Sequence, residues 1–217
     1  MSRIFANRTE AARALAQRLA AMDLEPPIVV LALPRGGVPI AAEVARVLHA
    51  ALDLVLVRKI GVPWQPELAL AAVIDGEMPE IVVDDEVQRM AGVDREYIET
   101  QALIGLKEIE RRREVYLRGR AALPLAGVTA VVVDDGIATG TTMRAALKAL
   151  RRRRPARLVL AVPVAPHDTV EALRSEVDDL VCLAEPDPFH AIGLHYADFH
   201  QVGDDEVIAA LAGASTS

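Results

Sequence analysis

Cysteine is almost absent from this chain, one residue in 217, so neither a disulfide framework nor a thiolate zinc site is available to it. That residue, Cys182, lies in the apolar run Leu180-Val-Cys-Leu-Ala184, where a buried structural thiol is expected. Aromatic residues are scarce as well, 3% of a sequence that is 52% hydrophobic. Alanine, valine and leucine must therefore fill the core, which suits a tightly wound α/β sheet. Positive charge is in short supply: the formal net charge is −7 and 25% of residues are charged. Nucleic acid demands clustered cations, so it is not expected as the main partner. No apolar run reaches the roughly eighteen residues needed to cross a bilayer, and the N-terminus lacks the apolar core of a secretory signal. A cytoplasmic protein with no membrane partner is the expectation.

Internal repeats and low-complexity tracts are also missing, and what remains has a βα rhythm. Asn7-Arg-Thr-Glu10 has the pattern of a capping box, and the helix it opens carries Leu15, Leu19 and Met22 on one face. Strands are predicted at 28–33 and 52–57, joined through Pro34-Arg-Gly-Gly37 and a helix over about 38–49; this is a βαβ unit with a right-handed connection. Arg58-Lys-Ile-Gly61 and a proline-flanked loop at 63–66 follow. Glu67 to Ile74 reads either as a strand or as a short helix, and Ile81-Val-Val83 as a short strand that pairs in a hairpin across the turn signal Asp75-Gly76. A long charged helix is predicted over 94–117, with apolar residues at Tyr97, Leu103, Leu106, Ile109 and Tyr116. It interrupts the βα rhythm and is expected to form an inserted arm or lid. The rhythm resumes with strands at 128–134, 157–165 and 180–183. Residues 185–205 have little periodicity yet hold Phe189, Tyr196 and Phe199, and the tail after Ala212 reads as loose.

The most informative stretch is Val128-Thr-Ala-Val-Val-Val-Asp-Asp-Gly-Ile-Ala-Thr-Gly-Thr-Thr142. A buried β-branched strand delivers two carboxylates into a glycine- and threonine-rich turn that opens a helix with Met143, Leu147 and Leu150 on one face. Ligands bind at that edge of open parallel sheets, and a helix N-terminus offers free N–H groups and a positive dipole end to a phosphate. Asp134 and Asp135 would not stand beside a bare anion; they belong next to ribose hydroxyls or a hydrated metal. A Walker A loop is ruled out because no lysine follows Gly140, and no Gly-x-Gly-x-x-Gly follows a strand. The pattern is that of a sugar-phosphate cradle.

These residues resemble the type I phosphoribosyltransferases, whose motif for 5-phosphoribosyl-1-diphosphate (PRPP) is an apolar strand, two acids and a loop ending in Thr-Gly-x-Thr. The resemblance implies that Asp134 and Asp135 hold the ribose hydroxyls and, through water or PRPP, Mg²⁺. It implies that Gly136, Ile137, Ala138, Thr139, Gly140, Thr141 and Thr142 wrap the 5-phosphate. Ala138 stands where other branches carry an acid, which excludes a base-protonating role there. By the same resemblance Arg35, Gly36 and Gly37 bind diphosphate, often through a cis peptide, and Arg58 and Lys59 open a mobile loop and meet the departing diphosphate. Lys59, Asp134 and Asp135 are the catalytic candidates, and Glu67, Phe189, Tyr196 and Phe199 candidates for a base pocket.

The implied fold is α/β: an open, mostly parallel twisted sheet flanked by helices, with a lid from an insertion and a hood from the C-terminal segment. One domain is expected over 1–217, its core at about 1–75 and 119–184, the inserted arm at about 76–118 and the hood at about 185–206. The implied activity is transfer of phosphoribosyl from Mg-PRPP to a nitrogen nucleophile of the nucleobase class with release of diphosphate, in an enzyme that forms a homodimer. The alternative is a catalytically silent regulatory protein that binds PRPP or a nucleotide. His190, His195 and His200 recur every five residues, a spacing that matches neither a helix face nor a strand face and so suggests no metal site.

Overall fold

A computed structural model describes residues 5–75 and 79–214. The first helix, α1 (Arg8–Ala20), starts at the expected cap: Asn7 Oδ1 accepts the Glu10 N–H at 3.0 Å, and Glu10 Oε2 accepts the Ala6 N–H at 2.6 Å. The chain then forms β1 (Ile28–Ala32), α2 (Gly37–Leu48) and β2 (Ala51–Leu54), followed by β3 (Val57–Val62), β4 (Gln65–Ile74) and β5 (Glu80–Val83). Two helices come next, α3 (Asp85–Ala91) and α4 (Arg95–Leu117). The βα rhythm returns with β6 (Thr129–Val133), α5 (Thr141–Arg152), β7 (Arg157–Val164), α6 (His167–Arg174) and β8 (Asp179–Ala184). A 3-10 turn at Ile192–His195 and α7 (Asp204–Ala214) complete the order.

Five strands build a parallel sheet in the order β2-β1-β6-β7-β8, flanked by helices. Residues 129–133 are fully buried, as the β-branched density of that run requires. The order reverses between β1 and β6: β1 leads outward to β2, whereas β6 leads the other way to β7. Ala32 pairs with Val133, so the two strands end level, and their carboxyl ends flank the switch point where such sheets bind ligands. Both glycine turns open there.

The remaining strands form a separate antiparallel sheet, β3-β4-β5. The predicted strand 52–57 therefore does not form as one strand. It leaves the parallel sheet after Leu54 and re-pairs at Val57 with Ile74, so Arg58 and Lys59 lie inside β3, opposite Val73 and Ala72, and not in a loop. Glu67–Ile74 resolves as strand, and the expected hairpin forms between β4 and β5. The alanines of β4 fit because both faces are covered: Ala71 and Val73 pack with Ile98, Ala102 and Ile109 of α4, and Ala72 and Ile74 with Met143 and Ala146 of α5. The buried stripe of α4 is Ile98, Ala102, Gly105, Ile109 and Tyr116, while Leu103 is exposed. Small residues, Ala102 and Gly105, interleave with Ile98 and Ile109 on the side that meets the sheet. Among the described residues no helix is long and apolar enough to cross a membrane.

Candidate active site

At the end of β6 the backbone turns through Asp134, Asp135 and the 136–140 loop into the N-terminus of α5. Gly140 has φ +73°, and a Cβ there would also lie 2.8 Å from Thr169 Cγ2. No side chain caps α5, which leaves its first-turn amides without a side-chain partner. Thr139 and Thr141 hydroxyls face each other at 3.4 Å, and Thr169 Oγ1 donates to the Ala138 carbonyl at 2.8 Å, tying the loop to α6. Ile137 behaves differently from its neighbours: its side chain is buried and its N–H donates to the Val164 carbonyl at 2.9 Å. The face open to a ligand is therefore Ala138 to Thr142, with Ile137 as its anchor.

The two acids are not equivalent. Asp135 is buried, and its Oδ2 accepts both Arg8 Nε at 2.9 Å and Arg8 Nη2 at 2.8 Å. Its carbonyl accepts the Tyr196 hydroxyl at 2.6 Å. Asp134 is partly exposed, and its Oδ1 accepts the Asp135 N–H at 2.8 Å. Burial and then the neighbouring Asp135 push the Asp134 carboxyl well above its ordinary range. Burial raises Asp135 too, against the opposing pull of Arg8.

The second turn, Pro34 to Gly37, lies directly against this pair. Its Pro34–Arg35 peptide is cis, as the resemblance led one to expect. A Cβ on Gly36 would sit 2.0 Å from Asp135 Oδ2, and one on Gly37 2.8 Å from the Val133 carbonyl and 2.9 Å from Asp134 Cα. Only glycine lets the two turns come this close. Arg35 Nη1 lies 3.6 Å from Asp204 Oδ1, which also accepts the Tyr116 hydroxyl at 2.7 Å, so α4 and α7 both reach this corner.

Lys59 and Arg58 point to opposite faces of β3, as strand neighbours must. Lys59 lines a cleft of about 240 Å³ together with Thr141, Thr142 and Lys148, whereas Arg58 packs on the other face, 3.3 Å from where a Gly105 Cβ would be. The structure thus brings Lys59 beside the phosphate-loop threonines and sets Arg58 apart from them. The Glu67 side chain lies outside the described residues.

The three C-terminal aromatics sit at the carboxyl side of the sheet, with their rings engaged by the protein's own groups. Tyr196 is buried between Phe5 and Phe199, with centroids 5.6 and 4.9 Å away. The Arg8 guanidinium lies 3.9 Å from the Phe199 ring centroid, and Phe189 stacks on His195 at 5.2 Å. Ile192 covers Gly136, whose added Cβ would meet Ile192 Cγ2 at 2.6 Å. The histidines are dispersed: His195 is buried with Nε2 unpartnered, and His200 lies between Asp198 and Glu206. No group of three or more metal-ligating side chains forms among the described residues. Cys182 is partly buried, its thiol pushed up to about 11 by burial.

Arg8 and Asp204 were not singled out from the sequence. Arg8 did leave a trace: it is a cation in the first turn of a helix, where the dipole favours anions, so some other group must hold it there. Asp204 resembles any first-turn acid and left none.

The description "Phosphoribosyl transferase domain" belongs to a family model that matches residues 2–198. A Mycobacterium tuberculosis H37Rv protein provisionally named a phosphoribosyl transferase is 47% identical over 209 residues, 96% of this chain; the chain spans 46% of that relative's length. The same identity and coverage hold for its counterpart in strain CDC 1551. The crystal structure of TT1426 from Thermus thermophilus is 44% identical, covers 96% of this chain and 97% of its own, and superposes with a TM-score of 0.84. With a family model running across both glycine turns and the acid pair between them, this chain belongs to the phosphoribosyl transferase domain family.

Proposed function

We propose that this chain transfers the 5-phosphoribosyl group of PRPP to a nitrogen nucleophile of the nucleobase class and releases diphosphate. The observation that carries the reading is the meeting of two glycine turns over an acid pair at the sheet's switch point, within van der Waals reach of each other. One turn presents uncapped amides and hydroxyls from Ala138 to Thr142 to a 5-phosphate. The other, Arg35 to Gly37, receives the diphosphate, while Lys59 lines the cleft beside Thr141 and Thr142. Asp134 and Asp135 lie between them, where ribose hydroxyls would fall. Fixed carboxylates there favour positive charge developing on the sugar as the C1–O bond to diphosphate breaks, and orientation of the incoming nitrogen in line with that bond supplies much of the rest.

The residues fit a hydrated cation. Two adjacent carboxylates stand at the end of β6, and the partly exposed Asp134 suits an ion that takes most of its shell from substrate and water. Bound Mg²⁺ would supply charge neutralisation for the departing diphosphate, held by Asp134, Asp135 and ligand oxygens. A cytoplasmic location and a homodimer belong to the same reading. The test is the double variant Asp134→Asn/Asp135→Asn, expected to remain folded and to lose Mg-PRPP binding in calorimetry; undiminished binding would sink the assignment.

A second reading, a regulatory protein that binds PRPP without transfer, draws support from the engaged rings of Tyr196 and Phe199 and from the pairing of Arg35 with Asp204. Following diphosphate release from Mg-PRPP across a panel of purines, pyrimidines and small amines separates the two. Release dependent on one nucleophile supports the transferase. Tight PRPP binding with no release across the panel supports the regulator.

A further inference from the structure

We infer that Arg8 is the positioning residue that makes the diphosphate turn usable, by neutralising the carboxylate directly beneath it; the inference rests on the reading of the 34–37 turn as a diphosphate site. The turn has a defect as an anion site. The position a Gly36 Cβ would take is 2.0 Å from Asp135 Oδ2 and 2.5 Å from Asp135 Cγ, so a buried carboxylate lies against the very backbone that is to receive a highly charged anion. Left bare, that charge would repel an anion seated on the turn and weaken its binding.

Arg8 answers that charge at the same atom. Both Nε and Nη2 converge on Asp135 Oδ2, the oxygen nearest Gly36, while Nη1 donates to the His200 carbonyl at 2.7 Å and the guanidinium plane lies on Phe199. With three directions fixed and 8% exposure, Arg8 cannot swing away when a ligand arrives. It also ties the segment bearing Phe199 and His200 to the floor of the site. Arg8 itself meets no ligand in this arrangement. It acts through Asp135, and its effect falls on the diphosphate turn, not on the phosphate loop of 138–142.

This separates a positioning role from a merely structural one. Inorganic diphosphate and ribose 5-phosphate are titrated without Mg²⁺, so that loss of a metal ligand at Asp135 does not enter, into the wild type, Arg8→Gln, Arg8→Lys and Arg8→Gln/Asp135→Asn, each checked for its unfolding transition. Arg8→Gln should weaken diphosphate on the order of tenfold to a hundredfold and ribose 5-phosphate by less than about threefold. Arg8→Lys should retain most of the affinity. The double variant, in which a neutral amide replaces the exposed charge, should recover diphosphate binding relative to Arg8→Gln alone. Equal losses for both ligands, or no recovery in the double variant, would overturn the inference and leave the diphosphate reading standing. A wild type that binds Mg-PRPP and ribose 5-phosphate but not diphosphate would overturn the diphosphate reading and the inference with it. If Arg8→Gln does not fold, the comparison of Arg8→Lys with the double variant decides: the role requires diphosphate affinity in both.

Discussion

Replacing Gly36 by alanine tests the contact on which the site depends. The added methyl would stand 2.0 Å from Asp135 Oδ2, 2.5 Å from Cγ and 2.9 Å from Oδ1, so something must move. Asp135 resists: Arg8 grips Oδ2 at 2.8 and 2.9 Å, and the Tyr196 hydroxyl holds its carbonyl at 2.6 Å. Breaking that pair would leave an uncompensated buried charge, a cost of about 3–5 kcal/mol. Lifting the turn instead is an overpacking strain of roughly 1–3 kcal/mol, so the turn should yield and Asp135 stay. For a chain of this length that corresponds to a fall in Tm of roughly 3–10 °C. Because Arg35 and Gly37 move with the turn, diphosphate affinity should fall as well. Thermal unfolding and calorimetry with Mg²⁺ and diphosphate measure both. Gly213→Ala is the control: nothing lies within 4 Å of its added Cβ, so it should be neutral or stabilise α7 by up to about 1 kcal/mol. A Gly36→Ala protein with wild-type Tm and wild-type diphosphate affinity would refute the packing of the two turns.

Asp134→Asn should separate stability from binding. A carboxyl whose proton affinity is raised by folding stabilises the native state below its ordinary titration range, and that contribution is lost as pH climbs through the raised value. At pH 7.5 the wild type therefore carries a penalty that the amide lacks, and the variant should melt higher, with the gap closing towards pH 4. A lower Tm for Asp134→Asn at pH 7.5 would show the reverse. Tyr196→Phe removes the donor to the Asp135 carbonyl and leaves a buried acceptor unpaired, a loss of about 1–2 kcal/mol that a urea titration resolves; no change would mean that water or another donor takes its place.

How much was legible follows from how local each feature is. The parallel core could be read because each βα unit announces itself within about twenty residues: an apolar β-branched run, a glycine turn, a helical stripe. The turn from β6 into α5 was legible for the same reason, acids, glycines and threonines standing together between Asp134 and Thr142. The break after Leu54 was not. Residues 52–57 are apolar but for Asp53, and what divides them is a partner strand, β4, whose pairing of Ile74 with Val57 no local pattern encodes. That division also decides which face of β3 carries Lys59, so the separation of Lys59 from Arg58 was beyond reach as well. The lesson of α4 is similar: the adjacent apolar pair Leu103 and Ile104 lies outward, while Ala102 and Gly105 stand between Ile98 and Ile109 on the side that meets the sheet, a division that size and hydrophobicity alone do not announce.

The acid pair shows the limit most clearly. Its two carboxylates are adjacent in sequence and were assigned one role, yet they differ because of contacts made across the whole chain. The Arg8 to Asp135 bond joins residues 127 apart, and Tyr196 reaches the Asp135 carbonyl from 61 residues beyond it. A motif names the residues a ligand meets; it says nothing of the counter-charge that lets an anion settle beside an acid. If the 34–37 turn takes an anion, a carboxylate beneath it is repulsive unless paired. Arg8, a first-turn cation opposed by its own helix dipole, supplies that pairing from the far end of the chain.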